Sequence, residues 1–169
     1  MSDTHAADIR IQHGAGEGLA ELIAGKLHGL RVTECRLGYH GSITIDADIL
    51  EAARMLPLEF VYIWNTATGA RISTYILPGE HGSGVCCLNG AAARSCQPGD
   101  EVIVASSRRV ESSAISRDGF AMSPRVLMFR HERRPNEIAE VLEYRARVEG
   151  GVMHFDMVPL SATEAGRSS

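Results

Sequence analysis

A hairpin in the middle of the chain is the feature that most restricts the fold. Residues 60–65 (Phe-Val-Tyr-Ile-Trp-Asn) are rich in β-branched and aromatic side chains, which favour a strand. Residues 66–69 form a loop of hairpin length, and residues 70–77 return as a second strand. Alternation along the second strand places Arg71, Ser73 and Tyr75 on one face, and Ile72, Thr74 and Ile76 on the other.

Short segments on both sides of this hairpin also have the composition of strands. They are residues 30–37, 42–45, 85–88, 101–105, 125–129, 144–148 and 152–155. The predicted helices are short: one is capped by Asp46 and ended by Pro57, one is an alanine-rich turn that closes at Arg94, and one covers residues 138–142. The apolar stripe of the first helix is Ile49, Leu50 and Ala53. This balance predicts a mostly β, barrel-like fold with short helices.

We expect one folded domain with an extension at each end. Residues 1–17 are polar and become glycine-rich, which predicts a flexible N-terminal extension. Residues 18–138 hold most of the predicted elements and form the domain. Residues 139–169 form a C-terminal extension whose end, from Ser161, is predicted to be disordered. The serine-rich segment 106–116 is predicted to be a mobile loop.

The charge and hydropathy of the chain argue against several classes of protein. The formal charge is −4, and the basic run at residues 130–134 is short and includes a glutamate, so a nucleic-acid partner is not expected. No segment reaches the roughly 18 apolar residues of a membrane helix. The first twenty residues carry acidic side chains and no apolar signal core. We therefore expect a cytoplasmic protein without a membrane partner.

The four cysteines are expected to be reduced residues of the core. None of Cys35, Cys86, Cys87 and Cys96 forms a C-x-x-C pair, so the sequence predicts no metal site. Cys86 and Cys87 are adjacent, and on a strand they would point to opposite faces.

Two short motifs about fifty residues apart carry the functional information. The first is the Gly41-Ser42 pair, and the second is the run from Asn89 to Ala93, Asn-Gly-Ala-Ala-Ala. Around them, in order, stand Gly25-Lys26-Leu27-His28, Ile63-Trp64-Asn65, Gly69-x-Arg71, Ser73-Thr74-Tyr75, Gly79-Glu80-x-Gly82-Ser83 and Gly99-Asp100. In this order and spacing the chain resembles the pyruvoyl-dependent aspartate 1-decarboxylases, from about residue 19 to about residue 136.

The resemblance implies a small double-psi β-barrel, assembled as a homotetramer of cleaved chains with sites between subunits. It also implies that the chain is a zymogen that cuts itself between Gly41 and Ser42, so that Ser42 becomes a pyruvoyl cofactor. The Ser42 hydroxyl would attack the Gly41 carbonyl, and the missing Cβ of glycine permits that close approach. Thr74 matches the hydroxyl that stabilises the oxyanion in this family.

The resemblance further implies a lyase that converts L-aspartate to β-alanine and CO2, a step toward pantothenate. The pyruvoyl carbonyl would form a Schiff base with the amino group of this small-molecule substrate and accept the electrons of the departing carboxylate. Arg71 and Lys26 would hold the substrate carboxylates. Tyr75 would return a proton to Cα as the general acid.

Other residues are implied as positioning groups or as neighbours of the site. Asn89 and the small residues that follow it would position the ligand, namely Gly90, Ala91 and Ala92. Trp64 either lines the site or only packs, and His28 is either a site residue or a structural histidine.

The chain departs from the family pattern at two positions. His40 replaces an acidic residue next to the cleaved bond, and His81 replaces an arginine that the family often has. An imidazole at position 40 could accept a proton during cleavage, or the change could make cleavage depend on a maturation partner. Together with the extensions, these changes leave two alternatives open: a pyruvoyl decarboxylase for another amino acid, or an unprocessed β-barrel that binds or regulates.

Overall fold

The structure is a computed structural model of the uncleaved chain, and it describes residues 5–11 and 18–161. Within them the strands are β1 Ala6–Arg10, β2 Leu19–Arg31, β3 Glu34–Arg36, β4 Ser42–Asp46, β5 Phe60–Asn65, β6 Arg71–Gly79, β7 Cys86–Asn89, β8 Glu101–Glu111, β9 Ala121–Met122, β10 Arg125–Arg130, β11 Glu137–Glu149 and β12 Val152–Pro159. Helices α1 Ala47–Ala53 and α2 Ser112–Ile115 and a 3-10 helix, Gly90–Arg94, complete the described elements.

The strands form one sheet in the order β1-β12-β11-β10-β2-β8-β5-β6-β4-β7-β3, with β9 paired to β11. Neighbouring strands are antiparallel except for the pairs β10–β2, β4–β6 and β3–β7, which are parallel. The predicted mostly β, barrel-like architecture is therefore confirmed. The double-psi topology remains what the family resemblance implies.

The predicted central hairpin is confirmed, and it divides the sheet into an inner and an outer face. The register runs from Phe60 opposite Tyr75 to Trp64 opposite Arg71. Residues on the inner face, such as Ile63 and Ile76, are fully buried. The core contains the large side chains Leu27, Leu30, Ile43, Ile45, Ile63, Ile76, Leu88 and Leu127. Each of them contributes about 1.5–3 kcal/mol by burial.

A buried carboxylate fixes the junction between β4 and α1. Asp46 is 3% exposed and caps the helix as predicted, because its side chain accepts the backbone N–H of Asp48 at 2.9 Å. The same carboxylate accepts the N–H groups of Gly82 at 3.1 Å and Gly84 at 2.6 Å. Asp46 therefore ties the loop between β6 and β7 to the start of the helix. The predicted apolar stripe of Ile49, Leu50 and Ala53 is buried.

The predicted end of this helix was wrong. The helix ends at Ala53, before Pro57, because Arg54 takes the left-handed conformation with φ 57°. The N–H of Arg54 then bonds to carbonyl oxygens of the last helical turn, which closes the helix.

Two segments that were predicted to be irregular or helical are strands. Residues 106–111 belong to β8, which pairs with β2 along its whole length, from Glu101 to Glu111. Serine content does not prevent this, because ladder hydrogen bonds use only backbone groups. Residues 138–142 lie in β11, which has β10 on one side and β12 on the other. Pairing with β10 along this segment, joined by β12 from Leu142 onward, overrides its local helix preference.

The N-terminal half of the sheet also differs from the prediction. Residues 6–10, expected to be flexible, form β1 and pair with β12. Strand β2 begins at Leu19, so the predicted strand 30–37 divides into the end of β2 and the short β3. The remaining predictions on the ends of the chain, at residues 1–4, 12–17 and 162–169, lie outside the described residues. The division at residues 18 and 138 stays a prediction, and the sheet continues across the second boundary through β11.

Over the part of the chain that the structure describes, none of the helices has the length and apolar character needed to cross a membrane.

Replacing Asp46 tests whether its carboxylate holds the helix and the loop together. We expect Asp46→Ala to lower the free energy of unfolding by about 2–3 kcal/mol, because three backbone N–H groups lose their acceptor. Urea denaturation measures the change. Glu51→Ala, at an exposed position of the same helix, is the control and should change the free energy by less than about 0.5 kcal/mol. Equal effects of the two substitutions would contradict the role of Asp46.

Candidate active site

The Gly41-Ser42 bond lies where an exposed turn enters the core. Gly41 is exposed, whereas Ser42 is the first residue of β4 and is 0% exposed. The Ser42 hydroxyl donates to the carbonyl oxygen of His40 at 3.5 Å. The bond between residues 41 and 42 thus joins an exposed glycine to a buried serine.

Asn89 holds the Ser42 hydroxyl from the neighbouring strand. Ser42 and Asn89 are directly paired in the antiparallel β4–β7 ladder, so their side chains share a face. The Nδ2 group of Asn89 donates to Ser42 Oγ and to Thr44 Oγ1, each at 2.9 Å. Asn89 itself is 2% exposed. Thr44 is a member of this cluster that the sequence reasoning missed, although its i, i+2 spacing from Ser42 on a strand could have indicated it.

Gly90 packs against the backbone of the bond. Its φ is +63°, and a Cβ at this position would stand 2.8 Å from the Cα and N atoms of Gly41 and 2.9 Å from the carbonyl oxygen of Tyr39. Any side chain at residue 90 would therefore push into the turn that carries Gly41. Ala91 and Ala92 follow in the 3-10 helix, and Ala91 is exposed. The predicted small-residue run therefore lies directly beside the predicted cleavage bond.

The parallel β4–β6 pairing places Tyr75 and Thr74 next to the same bond. Ile43 is paired with Ile76, so Ser42 and Tyr75 each directly precede this pair on neighbouring strands. One residue earlier on each strand are Gly41 and Thr74. Thr74 is 8% exposed and lies on the inner face, whereas Tyr75 is half-buried on the outer face. The structure thus brings both residues to the end of β4 that carries Ser42.

Arg71 and Trp64 form a pair on the outer face of the sheet. They are directly opposite in the β5–β6 ladder, and the guanidinium carbon of Arg71 lies 5.4 Å from the centre of the Trp64 ring. This is a cation–π contact. Further along the same two strands, Tyr75 faces Phe60 with ring centroids 6.1 Å apart. Trp64 therefore contacts a predicted site residue rather than only filling the core.

Lys26 and His28 lie on the same outer face but further across the sheet. The ladders align Lys26 with Ala105, Ala105 with Tyr62, and Tyr62 with Ser73. Lys26 is thus three strand spacings from β6, roughly 14 Å. Within one chain it does not lie beside Arg71.

The surroundings of His28 favour its neutral imidazole. Burial lowers the pKa of His28, and the positive charge of Lys26 lowers it further, against a smaller opposing effect of Glu101. His28 is placed on β2 two residues from Lys26, and it is part of the same half-buried face.

The two departures from the family pattern lie in different surroundings. His40 is exposed, and its imidazole packs edge-on against Tyr39 with centroids 5.7 Å apart, so only its backbone carbonyl contacts Ser42. His81 Nδ1 is 2.6 Å from Asp48 Oδ1, and this hydrogen bond raises the pKa of His81.

Asp48, Glu51 and His81 together offer donor atoms within 4.8 Å of one another, but all three are exposed. They stand at the helical end of β4, opposite the end that carries Ser42. The change at position 81 therefore leaves the cluster around Ser42 untouched.

Gly90→Ala tests the close contact between residue 90 and the Gly41 turn. We expect a loss of roughly 2–4 kcal/mol in the free energy of unfolding, from the left-handed backbone and from the overlap with Gly41. Gly69→Ala is the matched control, since Gly69 has φ +74° but no atom within 4 Å of the point where a Cβ would stand. It should lose only the backbone part, about 1 kcal/mol. Equal losses in thermal denaturation would show that Gly90 has no special contact.

Comparisons with known proteins identify the family of the chain. The family model described as Aspartate decarboxylase matches residues 19–136. The chain is 51% identical over 138 residues to an aspartate 1-decarboxylase of Xanthobacter autotrophicus, covering 81% of this chain and 87% of that protein. It is 48% identical over 151 residues to an aspartate 1-decarboxylase of Beijerinckia indica, covering 89% and 93%. On the strength of these matches, the chain belongs to the aspartate decarboxylase family.

Proposed function

We propose that this protein is a self-processing aspartate 1-decarboxylase, which converts L-aspartate to β-alanine and CO2. The observation that carries the proposal is the buried Ser42 hydroxyl, held by Asn89 at the edge of an exposed Gly41 turn. Relatives that share about half of their residues with this chain are named for the same activity. The product β-alanine makes the enzyme a step toward pantothenate, and a cytoplasmic location fits that role.

Maturation begins with the side chain of Ser42. Its Oγ attacks the Gly41 carbonyl carbon, the bond from that carbon to the Ser42 nitrogen breaks, and an ester replaces the amide. Asn89 orients the hydroxyl, and the Thr74 hydroxyl donates to the oxygen that becomes negative. Elimination then removes the Cα proton of residue 42 and breaks its Cβ–O bond, which releases residues 1–41 with a terminal carboxylate and leaves a dehydroalanine at residue 42. Hydrolysis at residue 42 releases ammonia and leaves a pyruvoyl group at the start of residues 42–169.

The surroundings of residue 42 fit a pyruvoyl group. The Asn89 side-chain N–H can donate a hydrogen bond to a carbonyl oxygen at this position. Because Gly90 has no Cβ, there is also space beside it. The pyruvoyl group supplies an electron sink, which accepts the electron pair that remains when the α-carboxylate departs as CO2. No metal is required for this role.

Arg71 and Tyr75 act on the substrate from the outer face of the sheet. The Arg71 guanidinium binds a substrate carboxylate through bidentate hydrogen bonds. The ring of Trp64 restricts the orientation of the guanidinium. Tyr75, beside residue 42, donates the proton that Cα gains when CO2 leaves. The small side chains of Ala91 and Ala92 leave room for the ligand. The second cation is Lys26, and His28 lies two residues from it on β2.

A homotetramer of cleaved chains would bring Lys26 to the site. Within one chain Lys26 and Arg71 are on strands three spacings apart, so in the proposed tetramer a neighbouring subunit supplies the Lys26 that acts with Arg71 in one site. Exposed apolar side chains between residues 56 and 60 support a subunit contact, because Leu56, Leu58 and Phe60 are 67%, 68% and 70% exposed. Exposed apolar patches are typical of subunit interfaces.

The intact mass of the purified protein under denaturing conditions tests the proposal. We expect two chains, residues 1–41 and 42–169, the second lacking its amino nitrogen. Ser42→Ala should remain a single chain and release no CO2 from L-aspartate. A wild-type chain that stays whole and inactive on prolonged incubation would contradict self-processing and favour a maturation partner or a non-catalytic barrel. Cleaved chains that act on another amino acid but not on L-aspartate would contradict the proposed substrate.

Arg71→Ala separates substrate binding from maturation. We expect cleavage at the wild-type rate, because Arg71 lies along β6 away from the Gly41 turn, and a fall in kcat/KM for L-aspartate of roughly tenfold to a hundredfold. β-Alanine formation measures the effect. Arg108→Ala, which removes an exposed arginine from β8, is the control and should retain wild-type kcat/KM. Wild-type turnover by Arg71→Ala would exclude the assigned role.

A further inference from the structure

A second buried side chain contacts the group that holds Ser42. Cys87 lies two residues before Asn89 on β7, so both side chains project from the same face of the strand. Its thiol donates to Asn89 Oδ1 across 3.4 Å, and Cys87 is 2% exposed. Cys86, the preceding residue, is 0% exposed and belongs to the hydrophobic core on the other face.

The thiol distinguishes the two orientations of the Asn89 side-chain amide. Ser42 and Thr44 present hydroxyl groups, which both donate and accept, so they accommodate either end of the amide. A thiol donates weakly and is a poor acceptor, so it favours the orientation in which Oδ1 faces Cys87. That orientation turns Nδ2 toward the two hydroxyl groups.

The orientation of the amide decides what the Ser42 hydroxyl can do. When Nδ2 donates to Ser42 Oγ, the hydroxyl proton is directed elsewhere, and the His40 carbonyl oxygen is its acceptor. When the amide is reversed, the hydroxyl proton goes to Oδ1 instead, and the hydrogen bond to the His40 carbonyl oxygen is lost. Only the first arrangement holds the oxygen by a donated N–H and directs its proton to a carbonyl oxygen, which leaves a lone pair for the attack on the Gly41 carbonyl carbon.

The surroundings of Cys87 keep it able to donate. Burial raises the pKa of the Cys87 thiol, and Glu34 raises it too, against the opposing positive charge of Arg36. The thiol therefore stays protonated at neutral pH. The carbonyl oxygen of Leu88 is also within reach of the sulfur, but at 3.8 Å, which is longer than the contact with Asn89.

We propose that Cys87 is a positioning residue for maturation, which selects the Asn89 amide orientation that presents the Ser42 hydroxyl to the Gly41 carbonyl. This inference rests on the proposed self-processing function. Cys87 acts through Asn89 and touches neither the bond nor the substrate.

The rate of chain cleavage in four variants tests this role. Fractions of intact and cleaved chain are followed by intact mass from the time of purification, together with thermal denaturation. Cys87→Val removes the donor without leaving a cavity, Cys87→Ala removes the donor and the volume of the sulfur, and Cys87→Ser replaces the thiol by a hydroxyl donor. Cys86→Ala is the matched control, because it removes a buried thiol from the neighbouring residue without contact to Asn89.

We expect Cys87→Val and Cys87→Ala to cleave roughly threefold to tenfold more slowly than wild type, the effect of one modest hydrogen bond. Cys87→Ser should cleave at a rate between those of wild type and Cys87→Val, because its hydroxyl donates to Oδ1 but can also accept from a reversed amide. Cys86→Ala should cleave at the wild-type rate, even where it lowers the melting temperature. Wild-type cleavage by Cys87→Val, or cleavage by Cys87→Ser as slow as by Cys87→Val, would overturn the inference. If wild type itself does not cleave, the proposed function fails first and this inference falls with it.

Discussion

The site depends on the pairing of β4 on both of its edges. This strand lies parallel to β6 on one side and antiparallel to β7 on the other, and it begins at Ser42. The first pairing brings Tyr75 and Thr74 to the start of β4, and the second brings Asn89 there. Because backbone hydrogen bonds fix both ladders, the register of the strands decides which residues surround Ser42. A shift of one residue in either ladder would turn these side chains to the opposite face.

The residues proposed for maturation and those proposed for substrate binding are distributed differently in the fold. Ser42, Asn89 and Gly90 meet within one chain, where burial and hydrogen bonds hold them against the Gly41 turn. The two cations instead lie apart on the outer face of the sheet, with Lys26 three strands from Arg71. Under the proposed function, maturation therefore draws on one folded chain, whereas a substrate site that uses both cations draws on a second subunit.

The residues beyond the matched region enlarge the sheet at the edge remote from Ser42. Strands β11, β12 and β1 follow β10 on one side of β2, whereas β4 and β7 lie near the opposite end of the strand order. The pairing of β1 with β12 joins the two ends of the chain in one ladder. Within this chain the added strands thus leave the immediate neighbours of Ser42 unchanged. The same holds for His81, whose partner Asp48 is at the helical end of β4.

The sequence by itself determined the family and the central hairpin and supplied the candidate site residues, because motif order, strand alternation and turn glycines are local properties of the chain. It also predicted the cap at Asp46 and the faces of β6 from spacing alone. Only the tertiary structure decided that residues 106–111 and 138–142 are strands. The partner of the first segment, β2, is distant in sequence, and in both segments pairing outweighs local preference. Tertiary structure also separated Lys26 from Arg71 and placed Cys87 behind Asn89. Distances across a sheet follow from strand order and register, which no local pattern encodes.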